Sequence, residues 1–352
     1  MLAALVAALL AALVLGVVFG AVAVPPGIVL GVVGKHLGLP WIEMTWTAAQ
    51  DAVVWQVRLP RVLAGALVGA ALATSGVLFQ GLFRNPMADP YVLGISSGAG
   101  FGATLATLLS AFPATSFTIL GLIVPPLPII GYALTPVSAF LGAAGAAVIV
   151  YAVARRGTSL PITDLLLTGF AVAALLGAGT TTLLVLNDRL LLRLRSIFAW
   201  MAGGIGVAGW APLAPAAVLV GIGLVLALLL GRWLDAFLLG EEGAAHVGVP
   251  VERAKALTVA VAALLTAAAV TLSGLVGFVG LLVPHAVRLV LGPAHRTLLP
   301  ASALGGAAFL VLGDLLARTV IAPTELPVGV LTALVGGPAF LVLLRRSRRV
   351  VR

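Results

Sequence analysis

Arg84-Asn85-Pro86-Met87-Ala88-Asp89-Pro90-Tyr91-Val92-Leu93-Gly94-Ile95-Ser96-Ser97-Gly98-Ala99-Gly100 joins two apolar runs of the chain. Its first half is polar and bracketed by prolines, and its second half is apolar and small. Each proline removes a backbone donor and disfavours helix in the residue before it, so the pair fixes an irregular connection at a membrane boundary. Gly94, Ser97, Gly98 and Gly100 then let a second backbone approach closely, as in a helix packed inside a bundle rather than against lipid. A simple membrane anchor has no need of such a stretch.

The composition outside it is that of a polytopic membrane protein. Of 352 residues, 62% are hydrophobic and 9% charged, and the mean hydropathy is +1.22, whereas an average soluble domain has roughly 25% charged residues. A bilayer crossing takes about 20 apolar residues. Apolar runs with polar boundaries predict ten spans, at 2–24, 62–82, 91–111, 135–153, 165–186, 212–230, 257–273, 276–291, 298–316 and 327–344. The expected fold class is all-α, a single transmembrane domain over 1–352. Residues 112–134, with Pro125, Pro126 and Pro128, are read as an outer-face loop, possible as a re-entrant segment, because Arg84 and Arg155-Arg156 belong on one side and need an even number of crossings between them. With the N-terminus inside, thirteen Lys and Arg fall on the cytoplasmic side against seven outside, with Arg345, Arg346, Arg348, Arg349 and Arg352 the strongest cluster. That satisfies the positive-inside bias and predicts N-in, C-in. Ala21-Val22-Ala23 looks like a cleavage site, but no basic residue precedes the apolar run, which is longer than the roughly 7–15 residues of a signal-peptide core. A retained first helix is expected.

Several chemistries are excluded. The 20 Lys and Arg against 11 Asp and Glu are dispersed or flank apolar runs, so the excess reads as topology signal and no nucleic-acid partner is expected. Without cysteine there is no thiol nucleophile, disulfide or thiolate metal site. A P-loop needs Gly-x4-Gly-Lys-Ser/Thr, and the only lysines, Lys35 and Lys255, are followed by His36 and Ala256. His36, His246, His285 and His295 lack metal-ligand spacing, and Ser96-Ser97 have no readable histidine-carboxylate partners. No catalytic, metal or cofactor-binding residue is expected in this chain, and an intramembrane enzyme is remote. Asp89, Asp164, Asp188 and Asp235 sit at span ends; Asp314 alone lies within a predicted helix, one turn before Arg318, which suggests an i,i+4 pair. Intramembrane acids usually mark ion coupling, so their scarcity argues against an ion-coupled secondary transporter, the rival of another class.

Two connections stand out. Residues 25–59 form an expected outer loop with Trp41, Trp46 and Trp55, suited to the membrane interface. It ends in Arg58-Leu59-Pro60-Arg61, where the arginines either snorkel or form a docking patch for carboxylates. Arg189, Arg193 and Arg195 likewise suit an anionic ligand or lipid phosphate. Residues 231–256 form the longest cytoplasmic connection, in which Glu241 and Glu242 favour the first turn of a short helix and Gly248 with Pro250 closes it.

These blocks together resemble the permease subunits of the type II ABC importers, which take up ferric siderophores, haem and cobalamin. The resemblance is carried by Arg58-Leu59-Pro60-Arg61, Gly69 to Gly76 with Gln80, and Arg84 to Pro90 with Leu93-Gly94. Further on it is carried by Leu239-Gly240 to Leu257, Gly277 to His285 with Arg288, and Glu325 to Gly329 with Thr332, Gly336 and Pro338. It implies ten helices per subunit and a homodimer in the inner membrane, with a path lined by the fifth and tenth spans. Two cytoplasmic ATPase subunits, which bind ATP and magnesium, would dock on 239–250 through Leu239, Gly240, Glu241, Glu242, Ala245 and Gly248. An external substrate-binding protein, periplasmic or lipid-anchored, would present glutamates to Arg58, Arg61 and Arg318. A cytoplasmic gate would fall on Asn85, Met87, Ile162 and Thr163.

The chain departs from the family in lacking a basic tail before the first span, in a long proline-rich 112–134 loop, and in Ile162 where a hydroxyl is usual. The expected function is a permease for a metal chelate. Asp89 to Gly98 reads closer to ferric-siderophore permeases, and Trp200-Met201-Ala202-Gly203-Gly204 closer to cobalamin permeases, with haem the further alternative.

Overall fold

The computed structural model describes residues 1–20, 22–40, 42–110, 117–119, 122–124, 130–186, 194–207, 209–322 and 324–350. In chain order the helices are α1 (Leu2–Val18), α2 (Pro26–His36), α3 (Ala48–Leu82), α4 (Ile95–Ser110), α5 (Ile130–Ala154), α6 (Ile162–Val185) and α7 (Leu194–Met201). They continue with α8 (Leu213–Phe237), α9 (Gly240–His246), α10 (Val251–Ser273), α11 (Val279–Leu291), α12 (His295–Thr319) and α13 (Val328–Val350). Between α4 and α5, β1 (Phe117–Ile119) and β2 (Leu122–Val124) pair antiparallel, Phe117 opposite Val124. Among the described residues six helices are long and apolar enough to cross a membrane: α3, α6, α8, α10, α12 and the Leu134–Ala154 part of α5. Shorter apolar helices, Leu2–Val18, Ile95–Leu109, Val279–Leu291 and Val328–Val342, overlap the other four expected spans in sequence.

The chain divides into two compact units. The first, Met1–Pro90 with Ala202–Arg352, is built around α3. Nearly every residue of α3 from Val68 to Leu82 is buried, with α12, α10, α8 and α11 packed around it. Glycine makes the closest crossings possible. A Cβ on Gly69 would meet the Gly306 carbonyl oxygen at 2.1 Å, one on Gly306 would meet that of Gly69 at 2.3 Å, and one on Gly76 would meet that of Gly280 at 1.8 Å. A buried hydroxyl pair, Ser75 and Thr266 at 2.8 Å, joins α3 to α10, and both oxygens lie within 3.0 Å of the Ala262 carbonyl, to which one hydroxyl donates while the other donates to its partner.

The second unit, Tyr91–Met201, contains α4 to α7 and the hairpin. Its α4–α5 crossing repeats the device: a Cβ on Gly98 would meet the Gly142 oxygen at 2.3 Å, and one on Gly102 the Ser138 oxygen at 2.0 Å. Gly94, at φ +72°, lies against Gly169 and Ala173 of α6. The small residues at the head of α4 therefore serve interior packing as expected, although Gly100 faces open space.

Several expected boundaries need correction. The first span stops at Val18 rather than at residue 24, with Phe19 in extended conformation. Residues 25–59 are mostly helical: Pro26 opens α2 at a position where its missing N–H is not needed, and α3 starts 14 residues before residue 62. Thr47 and Gln50 form a capping box at that start, Thr47 Oγ1 accepting from the Gln50 amide at 3.3 Å and Gln50 Oε1 from the Thr47 amide at 2.9 Å. Pro60 cannot donate to the carbonyl of Gln56. The helix accommodates it with a π-helical stretch, Val53–Arg58, and the Gln56 carbonyl accepts instead from the Gly209 amide at 2.7 Å. Helix α5 begins at Ile130, inside the expected 112–134 loop, and most of the rest of that loop lies outside the described residues. The 231–256 connection shrinks to 238–250, because α8 runs on to Phe237 and α10 starts at Val251.

Candidate functional site

Helix α3 carries polar clusters of the first unit at both ends. Its Leu59–Leu82 portion has 24 residues, about 36 Å at 1.5 Å per residue, so the clusters are about a membrane's hydrocarbon thickness apart.

At the Arg58 end, the last turn of α1 leaves carbonyls without intrahelical donors. Arg58 closes them: Nη1 donates to Val17 O at 3.0 Å and Val18 O at 2.8 Å, and Nη2 donates to Val22 O. Arg318 Nη2 donates to Gly16 O at 2.6 Å. Gly20 leaves room for both groups, since a Cβ there would meet Arg58 Nε at 3.2 Å and Arg318 Nη1 at 3.3 Å. Two cations at a helix C-terminus also complement its dipole. Asp314 sits between the other charges. Arg61 Nε lies 3.1 Å from each of its oxygens, Arg61 Nη2 donates to Oδ1 at 2.9 Å, and Arg318 Nε is 3.3 Å from Oδ2, the expected i,i+4 pair. Arg61 Nη1 also donates to Glu325 Oε2 at 2.8 Å.

The three arginines expected to dock a partner are thus brought together, but not as three free guanidiniums. Arg58 is 4% exposed and Arg318 3%, whereas the Arg61 side chain is 15% exposed and that of Glu325 42%. Nearby, His36 stacks on Trp55 at 4.1 Å and bonds Asp51 at 3.0 Å, and Asp51 also accepts from Trp46 Nε1 at 3.0 Å. Trp41 lies outside the described residues.

At the other end, α3 closes with Arg84 at φ +49°. The Arg84 amide donates to Gly81 O at 3.3 Å and the Asn85 amide to Gln80 O at 3.2 Å, the paired bonds of a Schellman motif. Asn85 Oδ1 then accepts from the Met87 amide at 2.9 Å, which makes the proline-bracketed turn compact. Arg84 Nη1 lies 3.4 Å from where a Cβ on Gly240 would be, so the guanidinium covers the first residue of α9. Helix α9 exposes Glu242 and Ala245, Leu239 and Gly248 are exposed on either side of it, and Gly240 and Gly248, at φ +92° and +87°, set its entry and exit. Glu241 Oε2 meets Lys255 Nζ at 2.5 Å, and Lys255 meets Glu252 Oε1 at 3.1 Å. Deeper at this end, Gln80 donates to Gly280 O and Leu281 O at 3.3 Å each, and buried His295 Nδ1 meets Asp235 Oδ1 at 2.8 Å.

Of the expected gate, Asn85 and Met87 belong to the first unit and Ile162 and Thr163 to the second, where they open α6 behind the N-cap Pro161. Arg195 is exposed at the start of α7; Arg189 and Arg193 lie outside the described residues. Among the described residues no group of three His, Asp or Glu side chains is placed to hold a metal ion. Sequence reasoning missed Lys255, Glu252 and Arg84 as partners of α9, and the α1 carbonyls as partners of Arg58 and Arg318. The Glu252-x-x-Lys255 spacing was the one local signal among these.

Residues 8–346 match the FecCD transport family. The chain is 45% identical to the cobalamin import system permease protein BtuC of Halobacterium salinarum, over 88% of this chain and 80% of that one. It is 42% identical to the hemin transport system permease protein HmuU of Yersinia pestis, over 86% and 87%. It is 35% identical to the Fe(3+)-citrate import system permease protein YfmD of Bacillus subtilis, over 86% and 84%. A solved inward-facing structure of a metal-chelate type ABC transporter superposes with a TM-score of 0.78 at 28% identity, covering 98% of both chains. The chain is a multi-pass membrane permease and belongs to the FecCD transport family.

Proposed function

We propose that this chain forms the membrane path of an ATP-driven importer for a metal chelate, acting as a homodimer with two ATPase subunits and an external binding protein. The observation that carries the reading is α9, a short exposed helix tied by Glu241 and Lys255 to the body of the first unit. Such a helix is a handle for a partner that supplies free energy. Asp314, the acid within α12, is taken up by Arg61 and Arg318, which argues against its use as a proton carrier in an ion-coupled mechanism. Along α6, Leu167, Phe170 and Leu175 are 64%, 75% and 72% exposed, an apolar face suited to a second copy and to a path without fixed charge.

The external partner would meet the arginine cluster at its exposed edge. Arg61 already holds Glu325, so an incoming carboxylate would exchange with Glu325 at Arg61 while Arg58 and Arg318 keep the platform in shape. For cargo, Asp89 to Gly98 favours a ferric siderophore. Cobalamin or haem is the second reading, favoured by the 45% and 42% identities to permeases named for those compounds. The test is uptake into proteoliposomes containing the permease, its ATPase subunits and its binding protein, with ferric siderophores, haem and cobalamin compared. ATP-dependent accumulation of one of them is expected. Uptake driven by a proton or sodium gradient without ATPase subunits would overturn the proposal.

A further inference from the structure

We propose that Lys255 is a positioning residue that fixes the angle of α9 and so sets how completely ATP-driven movement of the partner reaches the membrane helices. This rests on the reading of α9 as the ATPase dock. Lys255 is 3% exposed, on the buried side of α10, one of only two lysines in the chain. A buried ammonium is costly unless paired, and this one is held by Glu241 from α9 at 2.5 Å and Glu252 from the first turn of α10 at 3.1 Å. Leu82 and Arg84 at the end of α3 and Phe237 at the end of α8 complete the walls around the Glu241–Lys255 contact.

The ends of three long helices therefore meet the short helix at one charged joint. Without it α9 sits between two left-handed glycines, Gly240 and Gly248, with Ala244 as its buried residue and the Arg84 guanidinium over Gly240. A seven-residue helix has little stability of its own, since isolated helices under roughly 12 residues are marginal. A load applied to an unpinned α9 would bend the glycines; applied to a pinned one, it moves α10 and α3.

The experiment uses the full transporter in proteoliposomes with the permease variants Lys255→Met and Lys255→Arg. Lys255→Met should fold, because Glu241 and Glu252 side chains are 40% and 39% exposed and can be hydrated. It should retain its ATPase subunits and hydrolyse ATP while substrate imported per ATP falls about tenfold; Lys255→Arg should stay within about twofold of the parent. If Lys255→Met accumulates poorly, Lys255→Gln carries the same readout. A second measurement needs no transport: the chain has no cysteine, so a spin label on Ala245→Cys reports α9 alone, and its spectrum should become mobile with Lys255→Met and stay ordered with Lys255→Arg. An unchanged import-to-ATP ratio in Lys255→Met, or an unchanged label spectrum, overturns the proposal. The parent reading is tested separately by Ala245→Trp on the exposed face, which should release the ATPase subunits; retention would sink the dock itself.

Discussion

Arg84 is the residue at which backbone and function pull apart. It occupies the left-handed position that ends a Schellman motif, where glycine is the ordinary choice, and an L-residue there carries a cost of about 1–2 kcal/mol. The side chain reaches Gly240, which a glycine would not do. Arg84→Gly should leave the thermal stability of the purified permease equal or slightly raised, while import per ATP falls; unchanged import would show that the guanidinium over α9 has no part in coupling. Asp314 is the corresponding residue at the opposite end. Its carboxylate side chain, 3% exposed, balances Arg61 and Arg318. Asp314→Asn should destabilise the protein by about 3–5 kcal/mol, because it leaves buried cations uncompensated, and a melting curve in detergent reads that loss directly. Glu325→Gln should act the other way on partner binding. Freed of its exposed competitor, Arg61 should bind an acidic external protein severalfold more tightly, as titration against the binding protein would reveal.

At the scale of elements, the α3–α12 crossing is the tightest constraint in the first unit that two reciprocal glycines impose. Gly69→Val places a side chain where the Gly306 carbonyl already is. Overpacking costs about 1–3 kcal/mol where neighbours can shift, and here the obstacle is backbone, so the variant should fail to accumulate in membranes, with immunodetection as the check. The existence of the apolar helices was legible because hydropathy and length decide a span. Their ends were less so, for identifiable reasons. Residues 19–24 are as apolar as those before them, and α1 stops where Arg58 and Arg318 offer its carbonyls better partners, groups that no local pattern reveals. The early start of α3 was written in Thr47-x-x-Gln50, and the π-helical stretch with the bond from Gly209 to Gln56 shows how the helix continues past Pro60. The arginines were found by pattern, yet their burial depends on Gly20 and Asp314, which sequence alone does not set beside them. The glutamates of α9 were legible from its first turn; the lysine that receives one of them lies beyond a proline, inside the next helix.

For the whole molecule, the consequence of the arginine-closed end of α1 is one of timing. The Gly16 carbonyl and the Arg318 guanidinium that bonds it are 302 residues apart in sequence, whereas Arg58 is 41 residues from Val17. A chain made from its N-terminus therefore releases its first helix into the bilayer long before the last of its closing groups exists. Arg58 is then available to that end early, and Arg318 only once α12 has been made. Ribosome-arrested chains ending before residue 318 should leave a thiol at Val17→Cys, a position 7% exposed in the folded protein, open to maleimide, and the full chain should protect it. The end of α1 is then secured only once α12 has been made, and its bond to Arg318 reports that event.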